Sequence, residues 1–162
     1  MMKKPTILLY GRLVMLAVLL SCLVWAVAAT CDLTITGTVN PVPSSTVFAK
    51  EPNSITIAGI KNNGPDTVAN IVVALYASDV STTIPVTTTT IASLGSGKTT
   101  TKTLVDPTIR NLEGSTVTYT ATVDPDNLIA ETDETNNNKE CVAKPVAYNG
   151  YKGKRYWEGK SD

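Results

Sequence analysis

The chain has no histidine anywhere in its 162 residues. That absence removes the serine and cysteine nucleophiles that rely on an imidazole base, and imidazole sites for zinc or copper. Aromatic residues are also scarce. Near the body of the chain only Phe48, Tyr76 and Tyr119 are available, too few to wall the cleft of a paired-carboxylate glycosidase. No Gly-x-x-x-x-Gly-Lys-Ser/Thr loop occurs, and no Gly-x-Gly-x-x-Gly follows a strand. Gly95-Ser96-Gly97-Lys98 lacks the spacing and the following helix of a phosphate loop, so it reads as a hairpin turn. Neither sign of charge dominates, with 14 basic against 14 acidic residues. Without a basic face, nucleic acid is not an expected partner. Asn-x-Ser/Thr is missing too, so that route to N-glycosylation is closed. These gaps leave no catalytic residue to nominate, and the chain is not expected to be an enzyme.

Long hydrophobic runs are absent except at the start. Lys3, Lys4 and Arg12 form a basic lead, and an uncharged apolar stretch runs from Leu13 to Ala29. Small residues at Ala26-Val27-Ala28 and Val27-Ala28-Ala29 offer cleavage sites, so residues 1–29 read as a signal helix for export. The rival reading is an uncleaved membrane anchor, although seventeen helical residues span only about 25 Å of a ~30 Å hydrocarbon core. Losing the signal leaves 11 basic against 14 acidic residues, so the exported body is acidic. The expected location is secreted or at the cell surface.

What is present is alternation. Thr116-Val117-Thr118-Tyr119-Thr120-Ala121-Thr122-Val123 places apolar residues at every second position, the mark of a strand with one wet face. Leu33, Ile35 and Val39 alternate with threonines in a first strand, which Pro41 and Pro43 are expected to break. Ile55 and Ile57 share a face, but Ile60 is out of phase, so Ala58-Gly59 is expected to hold a β-bulge. Val68 to Ala77 is apolar on both faces: Ile71, Val73 and Leu75 on one, Val72, Ala74 and Tyr76 on the other. Residues 81–103 are rich in threonine and suit exposed or edge strands, with Ile84, Val86, Ile91 and Leu94 as expected inward contacts. A last short strand is expected near Lys139 to Ala143. Strands every ten to fifteen residues, with turn signals between them, predict an all-β antiparallel sandwich over residues 30–146. Residues 147–162, rich in Tyr, Gly and Lys, read as a tail or as a linker to a further domain.

Three motifs carry a resemblance. Val123-Asp124-Pro125-Asp126-Asn127-x-Ile129-x-Glu131, followed by Asp133-Glu134-Thr135-Asn136-Asn137, resembles the end of a CARDB domain, the cell-adhesion-related module of bacterial and archaeal surface proteins. Ile60-Lys61-Asn62-Asn63-Gly64 resembles that family's Val-Lys-Asn-x-Gly corner, and Ser93-Leu94-Gly95-Ser96-Gly97-Lys98 its Ser-Leu-x-x-Gly turn. Together they cover roughly residues 32 to 146. The resemblance implies an immunoglobulin-like sandwich of about seven strands on an exported protein.

Two candidate sites follow. First and last strands are commonly neighbours in such a sandwich, so Cys31 and Cys141 are expected to form a disulfide, which export would favour. The alternative is two free thiols. Asp124, Asp126, Glu131 and Asp133 supply hard oxygens close in sequence and form a candidate calcium site, although their spacing is not that of an EF-hand. The opposing reading has these side chains bonding to backbone amides in turns. Tyr119 either fills the core or bonds a neighbouring loop from early in the penultimate strand. The expected function is a non-enzymatic surface module for adhesion, surface architecture or spacing, with a surface protein, a polysaccharide or further copies of itself as partner. Two alternatives are a subunit of a surface filament or sheath, and an accessory domain of a secreted enzyme.

Overall fold

The computed structural model describes residues 30–42, 46–111 and 113–149. The expected signal segment and the tail from residue 150 lie outside them. Among the described residues there are eleven strands: β1 Leu33–Ile35, β2 Val39–Val42, β3 Val47–Ala49, β4 Asn53–Asn62, β5 Val68–Ala77, β6 Thr87–Leu94, β7 Thr99–Asp106, β8 Thr116–Val117, β9 Tyr119–Val123, β10 Asn138–Glu140 and β11 Lys144–Tyr148. Several are pieces of one pass. β1 to β3 form the first pass, β8 and β9 are separated by Thr118 alone, and β10 and β11 are separated by residues 141–143. Counted as passes there are seven, which agrees with the expected sandwich.

One layer has β4 at its centre, with β1 and β2 on one side and β7 on the other. The second layer runs β10-β9-β5-β6, and β3-β11-β8 continues it past Thr118. β3 lies parallel to β11, so the first pass starts in one layer and finishes beside the other.

The interruptions have local causes. Register between β4 and β7 shifts between Ile57 and Ile60, which is the expected bulge. Gly59 there has φ of 73°, and a Cβ on it would sit 2.4 Å from the Gly37 nitrogen. Gly37 is equally confined, 2.4 Å from the Ala58 oxygen. Two glycine backbones therefore meet where β1 gives way to β2, and the bulge returns Ile60 to the core. Pro41 does not break the strand as expected. It sits inside β2 opposite Ile55, where an edge position leaves its missing donor without consequence. On β5, Asn70 has φ of 56°, and Val68 and Ile71, three apart, are both buried opposite Leu94 and Ile91 of β6.

The core between the layers contains Leu33, Ile55, Ile57 and Ile60 from one side and Ile71, Val73, Leu75 and Val123 from the other, all fully buried. Each such side chain contributes roughly 1.5–3 kcal/mol. Ile84 departs from expectation: it precedes β6 and is 69% exposed, whereas Ile91 and Leu94 are buried. The last strand also runs further than expected. Ala147 and Tyr148 pair with Phe48 and Ala49, so the sandwich takes in the first residues assigned to the tail.

Candidate functional site

The acidic corner begins where β9 ends. Asp124 turns the chain with φ of 47° and accepts hydrogen bonds from the backbone of Leu128 at 3.1 Å and Ile129 at 2.7 Å. Its own backbone N–H donates to Val72 of β5. Asp133 accepts from the amide and hydroxyl of Thr135, which hold its carboxyl below the usual range. Asp126 is exposed. Glu131 is buried and receives the backbone N–H of Leu33 and the Asn137 amide. Glu134 accepts from the Glu131 backbone at 2.8 Å. Burial pushes the Glu131 carboxyl up to about 7, and the charges of Glu134 and Asp124 add to the shift.

These bonds make the corner a latch on the N-terminal strand. Residue 131 bridges Cys31, Thr132 donates to the Cys31 carbonyl, and Asn136 donates to Asp32 at 2.8 Å. Across from it, Asn62 is fully buried and donates to Asp66 and Leu94 while accepting from Gly64. Gly64 is needed because the Thr30 and Cys31 backbone lies where its Cβ would be. The Asn-x-Gly corner and the acidic corner thus hold the same segment from two sides.

The expected calcium site is not assembled. Asp124 and Glu131 spend both oxygens on the chain's own donors, Asp133 spends one on Thr135, and Asp126 is exposed. Among the described residues, no three acidic or cysteine side chains converge as a cation would require.

The expected disulfide is also not formed, and both cysteines are free. Cys31 lies beyond the level where Leu33 pairs with Asn62, at the end where β5 begins. Cys141 donates its N–H to Tyr119, which pairs with Ala77 at the other end of β5. The two therefore sit at different levels of the sheet, several residues apart at ~3.3 Å per residue, against the ~7 Å limit for a bridge. First and last strands are indeed close, but the cysteines sit at opposite ends of them.

Sequence reasoning singled out Tyr119, as core filler or as a hydrogen-bonding residue, but missed its partners in the most buried polar cluster. Tyr119 is fully buried, and its hydroxyl donates to Asp106 at 2.7 Å. Arg110 donates to the same carboxylate at 2.7 Å and grips Asp79 through two bonds of 2.7 and 2.9 Å. The guanidinium lies 5.7 Å from the Tyr119 ring centre. Burial opposes the charge on both partners, yet bonds from Thr108, Tyr119 and Arg110 hold Asp106 below the usual range, and the two aspartates raise Arg110. Tyr119 is pushed upward by burial and by its bond to Asp106. The cluster ties the loop after β7 to β9 in one layer and to the turn after β5. One signal was available: Arg110 is the sole arginine between Arg12 and Arg155, and arginine suits two-pronged buried pairing better than lysine. The charged and hydroxyl groups of the cluster satisfy one another.

The outer face of β5, β9 and β10 is different. A groove of about 460 Å³ crosses it. Tyr76, Thr120 and Glu140 form one cross-strand row, with Thr122 and Asn138 beside them and Lys139 at the rim. Thr122 donates to Asn138 at 2.6 Å, which orients that amide. The Tyr76 hydroxyl and the Lys139 ammonium bond to no other described residue; Tyr76 is half-buried and Lys139 exposed.

Comparison with known proteins agrees with this architecture. The CARDB family profile matches residues 30–141. A CARDB domain from Pyrococcus furiosus, crystallised in complex with di-metal ions, superposes with a TM-score of 0.57 at 22% identity, covering 74% of this chain and 96% of that one. A domain of a Methanosarcina acetivorans protein, provisionally named as a cell surface protein, gives 0.53 at 25% identity, covering 72% and 91%. A Geobacter metallireducens domain gives 0.50 at 25% identity, covering 68% and 93%. Among curated proteins no relative matches. Seven passes in two layers, the three corner motifs and the match over residues 30–141 together lead to one conclusion: the chain belongs to the CARDB family.

Proposed function

We propose that this chain is a non-enzymatic module of an exported, surface-located protein, and that it recognises polysaccharide through the outer face of β5, β9 and β10. One observation carries the reading. The described groups with strongly perturbed acidity are engaged in holding the fold, whereas the Tyr76 groove presents the unbonded Tyr76 hydroxyl and Lys139 ammonium beside the Thr122–Asn138 and Thr120–Glu140 pairs. An aromatic ring flanked by hydroxyl, amide, ammonium and carboxylate groups suits sugar rings, which offer an apolar face and a rim of hydroxyls. Orientation by a few fixed polar groups is the usual basis of selectivity in such depressions. The N-terminal basic and apolar segment supports export, and the Methanosarcina relative's name supports a surface location. Calcium is no part of this reading, because among the described residues no three acidic side chains converge on one point.

The test is retention on immobilised surface polysaccharide from the producing cells. The wild-type chain is expected to be retained. Tyr76→Ala combined with Asn138→Ala is expected to weaken retention at least about tenfold, equivalent to 1.4 kcal/mol, with no change in melting temperature. Failure of the wild type to bind, or equal binding by the double variant, would overturn the assignment.

A further inference from the structure

An open sheet edge exposes a row of unpaired backbone donors and acceptors, and folded proteins ordinarily block it with charge, proline, a bulge or short length. The edges of this sandwich differ sharply in that respect. β10 is three residues long and carries Lys139 and Glu140. β3 is also three residues long. The β1–β2 edge is interrupted at Gly37 and contains Pro41. β7 is long but carries Lys102 and ends in Asp106.

β6 has none of these guards. It is eight residues long, Thr87-Thr88-Thr89-Thr90-Ile91-Ala92-Ser93-Leu94, with no charge, no proline and no glycine. It closes the second layer beyond β5, and its pairing with β5 shows no register shift. Thr88, Thr90, Ala92 and Ser93 are exposed. β-branched threonine keeps the strand extended.

From this we infer that β6 is a docking edge for a second copy of the chain, paired antiparallel about a two-fold axis. The occupant follows from the composition of the strand. In an isologous contact the same residues meet each other, so a charged edge would set like charges opposite one another. β7 would place Lys102 near its own copy. β6 sets no charged group against itself in any antiparallel register. Its exposed side chains are threonine, serine and alanine, and its two large apolar ones, Ile91 and Leu94, face the core. The product is one sheet in the order β10-β9-β5-β6 continued through β6-β5-β9-β10 of the second copy. Main-chain hydrogen bonds supply the affinity, as in other strand additions. Each copy keeps its Tyr76 groove, because no residue of β6 lines it. The inference therefore does not depend on the polysaccharide reading.

Sedimentation equilibrium on the full chain tests it. The wild type is expected to show a monomer–dimer equilibrium between micromolar and millimolar concentrations. Thr88→Lys with Thr90→Lys puts two exposed lysines on the edge and is expected to raise the dimer dissociation constant at least about tenfold. Thr101→Lys on β7 serves as the control and is expected to leave association unchanged. Circular dichroism and melting of each variant confirm that the sandwich persists. A wild type that stays monomeric at millimolar concentration overturns the inference, as does a β6 double variant that dimerises equally well. Loss of association in the Thr101→Lys variant alone would move the contact to β7 and reject β6.

Discussion

Two buried ionisable groups set opposite demands on the fold. Asp106 has no exposed surface and depends on Arg110, Tyr119 and Thr108 for its charge. Arg110→Ala would leave that carboxylate buried without its counter-ion, and the expected loss is roughly 3–5 kcal/mol in chemical denaturation. Tyr119→Phe removes one of several bonds, so a loss nearer 1–2 kcal/mol is expected. Glu131 behaves in the other direction. Its carboxyl is raised from 4.5 to about 7. The folded chain therefore binds a proton there that the unfolded chain has released, and the stabilisation is present below pH 4.5 and lost as pH rises through 7. Stability should decline between those values, by up to about 3 kcal/mol from this residue, since one pKa unit is about 1.4 kcal/mol. Glu131→Gln removes the titration, at the cost of replacing one of the two acceptor oxygens by an NH2, and should flatten the slope. A Gln variant with the same pH dependence as wild type would place the effect elsewhere. Asp106, lowered rather than raised, weakens the fold only at more acidic pH.

At the scale of elements, the bulge in β4 shows how directly a local pattern can be read. Ile60 falling out of phase after Ile55 and Ile57 was enough to locate it, and Gly59 supplies the positive φ. Gly59→Ala is expected to cost at least about 2 kcal/mol, since the new Cβ meets Gly37 as well as an unfavourable φ. Gly97→Ala is the comparison. It shares a positive φ but has nothing within 4 Å of the new atom, so a loss of only about 1 kcal/mol is expected. Equal losses in thermal melts would mean that the Gly37 contact contributes nothing. Strand existence was legible wherever alternation was strong, as in Tyr119–Val123. Strand neighbours were not legible. Pro41 was misread as a breaker because only the sheet order shows that β2 is an edge. Ile84 was misread as core because a threonine-rich stretch gives no sign of where its strand starts. The Asp79–Arg110–Asp106–Tyr119 cluster draws from three separate segments, and sequence adjacency shows only the Asp106–Arg110 part of that meeting.

At the scale of the whole molecule, the cysteines are the sharpest case of topology overruling inference. First and last passes do lie near each other, and the Asn62-to-Gly64 corner and the Glu131-to-Asn136 segment both hold the N-terminal strand. Position along those passes decides the chemistry, however. Cys31 is at the end held by Glu131, where burial and the Glu131 charge raise its thiol, while Cys141 sits behind Tyr119 at the other end. The sandwich is therefore held by its apolar layers, two corner latches and one ionic cluster, with no covalent bond across its length. A bridge closing a loop of about a hundred residues would be worth up to ~4.7 kcal/mol on the chain-entropy account. Its absence predicts that a strong reductant leaves the melting temperature of the oxidatively purified protein unchanged. Alkylation under denaturing conditions should label both Cys31 and Cys141 without prior reduction. A melting point that drops by several degrees in reductant, or a chain that resists alkylation until reduced, would show the two ends joined and would require a different path for the first or last pass.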